Sequence, residues 1–178
     1  MAKCVIDPDH SVASFAIRHL MIANVRGMFN KVKGTIHFDS KDLSKSSVEA
    51  EIDVASLTTG VKKRDNHILS DEMLDAGKYP TITFRSTRVQ ADKGNRGKII
   101  GDLTIHGVTR PVTVEAEFHG PVKSPFGGEI TMGFAATTRV NREDFGVMWG
   151  SEPLEGGGLI AGKEVEITLD VEADLVQE

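Results

Sequence analysis

Apolar and polar residues alternate with a period of two through most of this chain, the pattern of strands that bury one face. It is clearest at 48–54, where Val48, Ala50, Ile52 and Val54 face one way and Glu49, Glu51 and Asp53 the other. Residues 165–173 repeat it, and further alternation predicts strands near 12–20, 28–39, 81–89, 98–106, 111–119 and 129–140. The segments 98–106 and 111–119 read as a hairpin around Gly107-Val108-Thr109-Arg110. Ile105 then faces Val112, Leu103 faces Val114, Gly101 faces Ala116 and Ile99 faces Phe118, all on the apolar side.

One stretch has helical character. Val61, Ile68, Leu69, Met73 and Leu74 recur among charged residues over 61–75, and Ser70 is placed to cap a second short helix. The fold class is therefore all-β: eight mostly antiparallel strands with a short helical segment between the third and fourth. Periodicity alone allows a sandwich filled with side chains or a closed barrel with room for a ligand. Small inward residues (Ala50, Gly101, Ala116, Ala136) favour an interior with space, as does an aromatic complement of eight Phe, one Tyr and one Trp. The connection from Asn141 to Lys163 is long for a structureless loop. It carries Phe145, Val147, Met148, Trp149, Leu154, Leu159 and Ile160, which suits either a lid over a hydrophobic opening or a plug on the core.

At 178 residues the chain reads as one domain over 1–178. Acids outnumber bases 26 to 21 for a net charge of −5, and no basic cluster stands out, which argues against nucleic acid. The single Cys4 excludes an internal disulfide framework. No apolar run is long enough for a membrane span, so stable membrane insertion is not expected. The first residues show no apolar signal core, and the expectation is a cytoplasmic protein.

Candidate chemistry is sparse. The six histidines stand at 10, 19, 37, 67, 106 and 119, and none pairs with another at metal-ligand spacing. No metal or cofactor is expected. Arg64-Asp65-Asn66-His67 places a cation, an acid and an imidazole in one turn; Asp65 orienting His67 could make a general base, against a plain solvated helix start. His19 shares the strand face of Phe15 and Ile17, so it is expected to point inward, either bonded to backbone or holding a polar headgroup.

A series of linear motifs carries a resemblance. Ile6-Asp7-Pro8-Asp9-His10-Ser11-Val12, Phe15, His19 and Gly27-Met28-Phe29 are followed by Ser56, Thr59 and Arg64-Asp65-Asn66-His67-Ile68-Leu69. Then come 79–86 (YPTITFRS), 101–109 (GDLTIHGVT), 141–146 (NREDFG) and the terminal strand. In this order the motifs resemble the YceI-like family of lipid-binding proteins over nearly the whole chain. Cys4 and Met73 depart from the aromatic residues common at those positions. The resemblance implies an extended lipocalin-like barrel of eight antiparallel strands, non-enzymatic, binding a polyisoprenoid such as a prenyl quinone or prenyl pyrophosphate, with homodimers common.

On that fold, strand parity nominates Phe15, Ile17, Phe29, Ile52, Phe84, Leu103, Phe134 and Trp149 as lining residues, with Phe145 from the long connection. Arg64, His67 and Arg142, with His19, are the candidates for a headgroup. Two alternatives stay open: an enzyme acting on an apolar prenyl-type substrate through Asp65 and His67, and a filled barrel serving interaction or dimerisation.

Overall fold

The computed structural model describes residues 1–176. The N-terminal alternation forms β1 (Ala2–Ile6) and β2 (Val12–His19). Pro8 lacks the N–H a ladder needs and interrupts what would be one strand. The halves stay aligned because β11 (Ala161–Leu175) pairs with both. Ser11 stitches the break: its hydroxyl donates to the Glu172 carbonyl at 3.2 Å and accepts from the Glu172 amide at 3.1 Å.

The same splitting affects the next two strands, β3 (Ala23–Phe29) with β4 (Val32–Phe38), and β5 (Ser47–Asp53) with β6 (Leu57–Thr58). Ser56 closes both gaps, taking the Lys31 amide on its hydroxyl at 3.1 Å. The rest is β7 (Thr81–Ala91), β8 (Arg96–Ile105), β9 (Val108–Lys123), β10 (Ile130–Asn141) and β11. Counting each split pair once, the ladders run in chain order and β11 closes on the first strand, giving an eight-stranded antiparallel barrel. Closure removes free sheet edges.

Three local expectations need correction. The strand at 28–39 begins earlier and is broken at Asn30-Lys31, so Phe29 and Val32 both face inward. The β8–β9 turn is His106-Gly107, both at positive φ (52° and 73°), a two-residue turn whose twist matches its strands. Ile105 therefore faces Val108 and Gly101 faces Val112, four places from the expected register. The slip is even, so every side chain keeps its face. Finally, Ser70 ends α1 (Lys62–Leu69), the one α-helix among the described residues, with its hydroxyl on the His67 carbonyl at 2.6 Å, and residues 71–74 form turns rather than a second helix.

The barrel has two unlike ends. At the helix end α1, the β8–β9 turn and the 142–160 connection converge. At the distal end lie the 39–46, 92–95 and 124–129 connections.

Candidate functional site

Inward side chains along the barrel wall set the site. In β11 these are Val165, Ile167, Leu169 and Val171, each only half-buried although their outward neighbours are the charged and polar residues. An inward residue of a closed barrel keeps accessible surface only where the interior is not filled. A cavity of about 320 Å³ lies there, at the lower end of ordinary ligand pockets (roughly 300–1,000 Å³). Ala50, Ala116 and Ala136 line it as small residues. Gly101 contributes differently: a Cβ there would strike the Phe84 ring, so glycine lets that ring approach β8 closely.

Nine of the thirteen residues nominated from the sequence line this cavity. Phe15, Ile17 and Phe29 come from β2 and β3, Ile52 from β5, Phe84 from β7, Leu103 from β8 and Phe134 from β10. Arg142 and Phe145 come from the 3-10 turn Arg142–Phe145, which Asn141 caps by accepting the Glu143 amide. Phe145 is 2% exposed and Arg142 5%, so this turn seals the helix end.

Among the described residues, Arg142 has no carboxylate bonded to it. Its Nε, Nη1 and Nη2 donate to the carbonyls of Gly162 (2.8 Å), Val147 (2.7 Å) and Ala161 (2.9 Å). Burial lowers its pKa from the ordinary arginine value, and the nearby Glu143 opposes that shift. Glu143 itself pairs with Lys163 at 3.1 Å. The arrangement locks the long connection onto the start of β11.

Four nominated residues stand outside the cavity. His19 is exposed at the end of β2, because the inward parity of Phe15 and Ile17 ends where the β2–β3 turn begins at Leu20. Arg64 turns to Thr59, donating to its hydroxyl at 2.8 Å and its carbonyl at 3.0 Å. His67 meets Glu72 at 2.7 Å and the Trp149 ring edge-on at 4.8 Å. Trp149, 36% exposed, packs on the outside of α1. Asp65 accepts from the Thr59 amide and hydroxyl, which hold its carboxyl below the usual carboxylate range. The pairing of Asp65 with His67 on which a general base was built is thus replaced by two separate contacts.

Sequence reasoning missed the distal rim of the cavity, where Leu43, Ser46, Ser47, Val89 and Asn95 contribute. Leu43 sits in the 3-10 turn Leu43–Lys45, and an apolar residue within a polar connection was the available signal. Asp7, His10 and Glu172 also gather outside the barrel, with potential ligand atoms within 4.8 Å of one another. Glu172 is too distant in sequence for spacing to reveal the trio. His10 and Asp7 are engaged with each other at 2.7 Å.

Known proteins resemble this chain over most of its length. The chain is 42% identical over 170 residues to a UPF0312 protein of Vibrio parahaemolyticus, covering 93% of this chain and 86% of the relative. Its structure resembles that of Burkholderia cenocepacia BcnA with a TM-score of 0.82 and 26% identity, over 94% of this chain and 98% of that one. A polyisoprenoid binding domain from Saccharophagus degradans shares the fold at a TM-score of 0.68 and 14% identity, over 99% of both chains. Residues 5–173 match the family model of the YceI-like domain, a span that runs from within β1 to within β11, and the chain belongs to that family.

Proposed function

We propose that this protein binds, stores or carries a long apolar lipid of the isoprenoid type inside its barrel, without chemistry on it. The cavity carries the reading. It runs between apolar walls from Asn95 at one end of the barrel to Phe145 at the other, a shape suited to a chain rather than a compact ring. A protein of the same fold is described as polyisoprenoid-binding, which supports the choice of lipid. Prenyl quinones and prenyl pyrophosphates are the specific candidates.

The energetics favour a long tail. Burying a five-carbon unit is worth roughly 4 kcal/mol at about 0.8 kcal/mol per carbon. Association costs about 4–15 kcal/mol, so several units must be buried before binding is useful. The void opposes the filled-barrel alternative, and the separation of Asp65 from His67 removes the support for the enzymatic one.

A titration with a geranylgeranyl lipid tests the reading. Placing a charge on the wall with Leu103→Asp should weaken binding by about 100-fold or more, since an unpaired carboxylate must be buried beside the tail. Filling the void with Ala136→Phe should reduce affinity without adding charge. Retention of full affinity by folded samples of both variants would move the binding site out of the barrel.

A further inference from the structure

The outside of the helix end carries an apolar surface that the cavity does not explain. Among the described residues twelve large apolar side chains are exposed, and six of them stand here: Leu20, Met21, Ile22, Val61, Met148 and Trp149. They sit on three segments that touch one another. The β2–β3 turn meets the 142–160 connection, where the Leu20 amide donates to the Ile160 carbonyl at 2.8 Å and a Cβ on Gly158 would lie 3.4 Å from Met21. The connection reaches α1 through the Trp149 ring on His67. The approach to α1 passes beside β3, since a Cβ on Gly27 would lie 2.9 Å from the Thr59 methyl.

The β2–β3 turn is built against local preference. Leu20 and Met21 both have positive φ (50° and 62°), and the Ile22 amide donates to the His19 carbonyl at 3.1 Å. Such turns are served best by Asn-Gly, because large L side chains disfavour the left-handed region. Here the tip holds three large apolar side chains instead, and Ile22 is 77% exposed, so burial within the molecule does not account for it. Charge says what the tip suits. Arg18 and Arg26 on the outer face of the β2–β3 hairpin, with Lys62 and Lys63 at the start of α1, are all exposed. Among the described residues none of the four has an acidic partner. Glu166, which shares an outer groove with Arg26, is taken by Arg139 at 2.8 Å. Glu152 and Glu155 of the connection oppose the four cations but leave them in excess, in a chain whose net charge is −5.

We propose that this end of the barrel docks peripherally on anionic bilayers, with Leu20, Met21 and Ile22 entering the headgroup region and Trp149 beside them. An apolar tip flanked by cations matches a surface that is negative outside and apolar beneath. A second copy of the chain would instead set like charges together. Docking gives a lipid-binding barrel a place to meet the phase that holds long apolar lipids, but the surface is argued from the outside of the molecule and does not rest on what the cavity holds.

Trp149 is the chain's one tryptophan, so its emission reports this surface alone. Vesicles of mixed phosphatidylcholine and phosphatidylglycerol, free of isoprenoid, should co-sediment the protein and shift that emission to the blue. Acyl-brominated lipids should quench it. Met21→Glu combined with Ile22→Glu should weaken partition by about tenfold or more. Lys62→Ala and Lys63→Ala should each weaken it by about fivefold, an effect that fades at high salt. All four side chains are exposed, so the variants should fold as the wild type does. Phe126→Glu, at an exposed position of the distal end, should bind vesicles as the wild type does. Absence of partition overturns the proposal. Co-sedimentation without a change in Trp149 emission, or with equal loss in Phe126→Glu, places the contact elsewhere and also overturns it. Self-association in light scattering that Met21→Glu with Ile22→Glu abolishes, without vesicle binding, assigns the surface to a second copy instead. Because the vesicles hold no isoprenoid, each of these failures leaves the reading of the cavity standing.

Discussion

Arg142 shows how one side chain can hold a long connection in place. One of its three bonded carbonyls, that of Val147, lies inside the connection, and the other two, of Ala161 and Gly162, lie at the start of β11. Removing the guanidinium leaves buried acceptors unpaired, at about 1–3 kcal/mol for each group. Arg142→Leu should therefore lower unfolding free energy by about 3 kcal/mol or more in chemical denaturation. Arg142→Lys should recover little, because one ammonium cannot span the same fork. Stability within about 0.5 kcal/mol of wild type would contradict this role. At Asp65 the sign of the pH effect follows from its lowered pKa, caused first by the Thr59 hydroxyl. Its contribution to stability is present above the ordinary aspartate pKa and is lost as pH falls through the lower folded value. Thr59→Val should return the Asp65 titration, followed by NMR, toward the usual carboxylate value. Cys4 is fully buried, and burial followed by Asp174 raises its thiol pKa. Its reaction with a disulfide reagent should track global unfolding and be absent from the native state.

Among the elements, the β8–β9 hairpin explains both what sequence reveals and what it hides. Its alternation identified the strands and their inward faces, because one buried face fixes parity. It did not fix the register, since sliding by four residues pairs different apolar residues on the same side. The deciding feature is backbone conformation: His106 and Gly107 both adopt positive φ, which few residues other than glycine do and which histidine tolerates better than most. The His106 ring also packs edge-on against Tyr79 at 4.8 Å and lies 3.3 Å from the Phe145 carbonyl. Those tertiary contacts hold the turn in place and are invisible to local pattern. Gly107→Ala should cost about 2 kcal/mol from left-handed strain, with the Tyr79 ring in the way of its Cβ. An unchanged denaturation midpoint would mean that the turn is not under this constraint. Placement of the nominated site residues follows the same logic. Those on regular strands landed on the cavity because parity is reliable, whereas His19 at a strand end and Arg64, His67 and Trp149 at the helix end were set by turns and cross-chain contacts.

For the molecule as a whole, the barrel keeps a void where most domains pack tightly, and voids cost stability. A ligand that fills it should offset that cost. At 100 times its dissociation constant, a lipid adds about 2.7 kcal/mol. For a domain of this size that corresponds to a rise of about 5–10 °C in Tm. A farnesyl lipid should stabilise less than a geranylgeranyl one at equal concentration, because it buries one fewer five-carbon unit. The central claim, that this cavity holds an isoprenoid, is tested most directly by purifying the protein from its native host without detergent. Native mass spectrometry and organic extraction would then read what it carries. The account predicts a stoichiometric adduct whose extracted mass fits repeating five-carbon units. A clean apo mass that stays unchanged when prenyl lipids are added would contradict it.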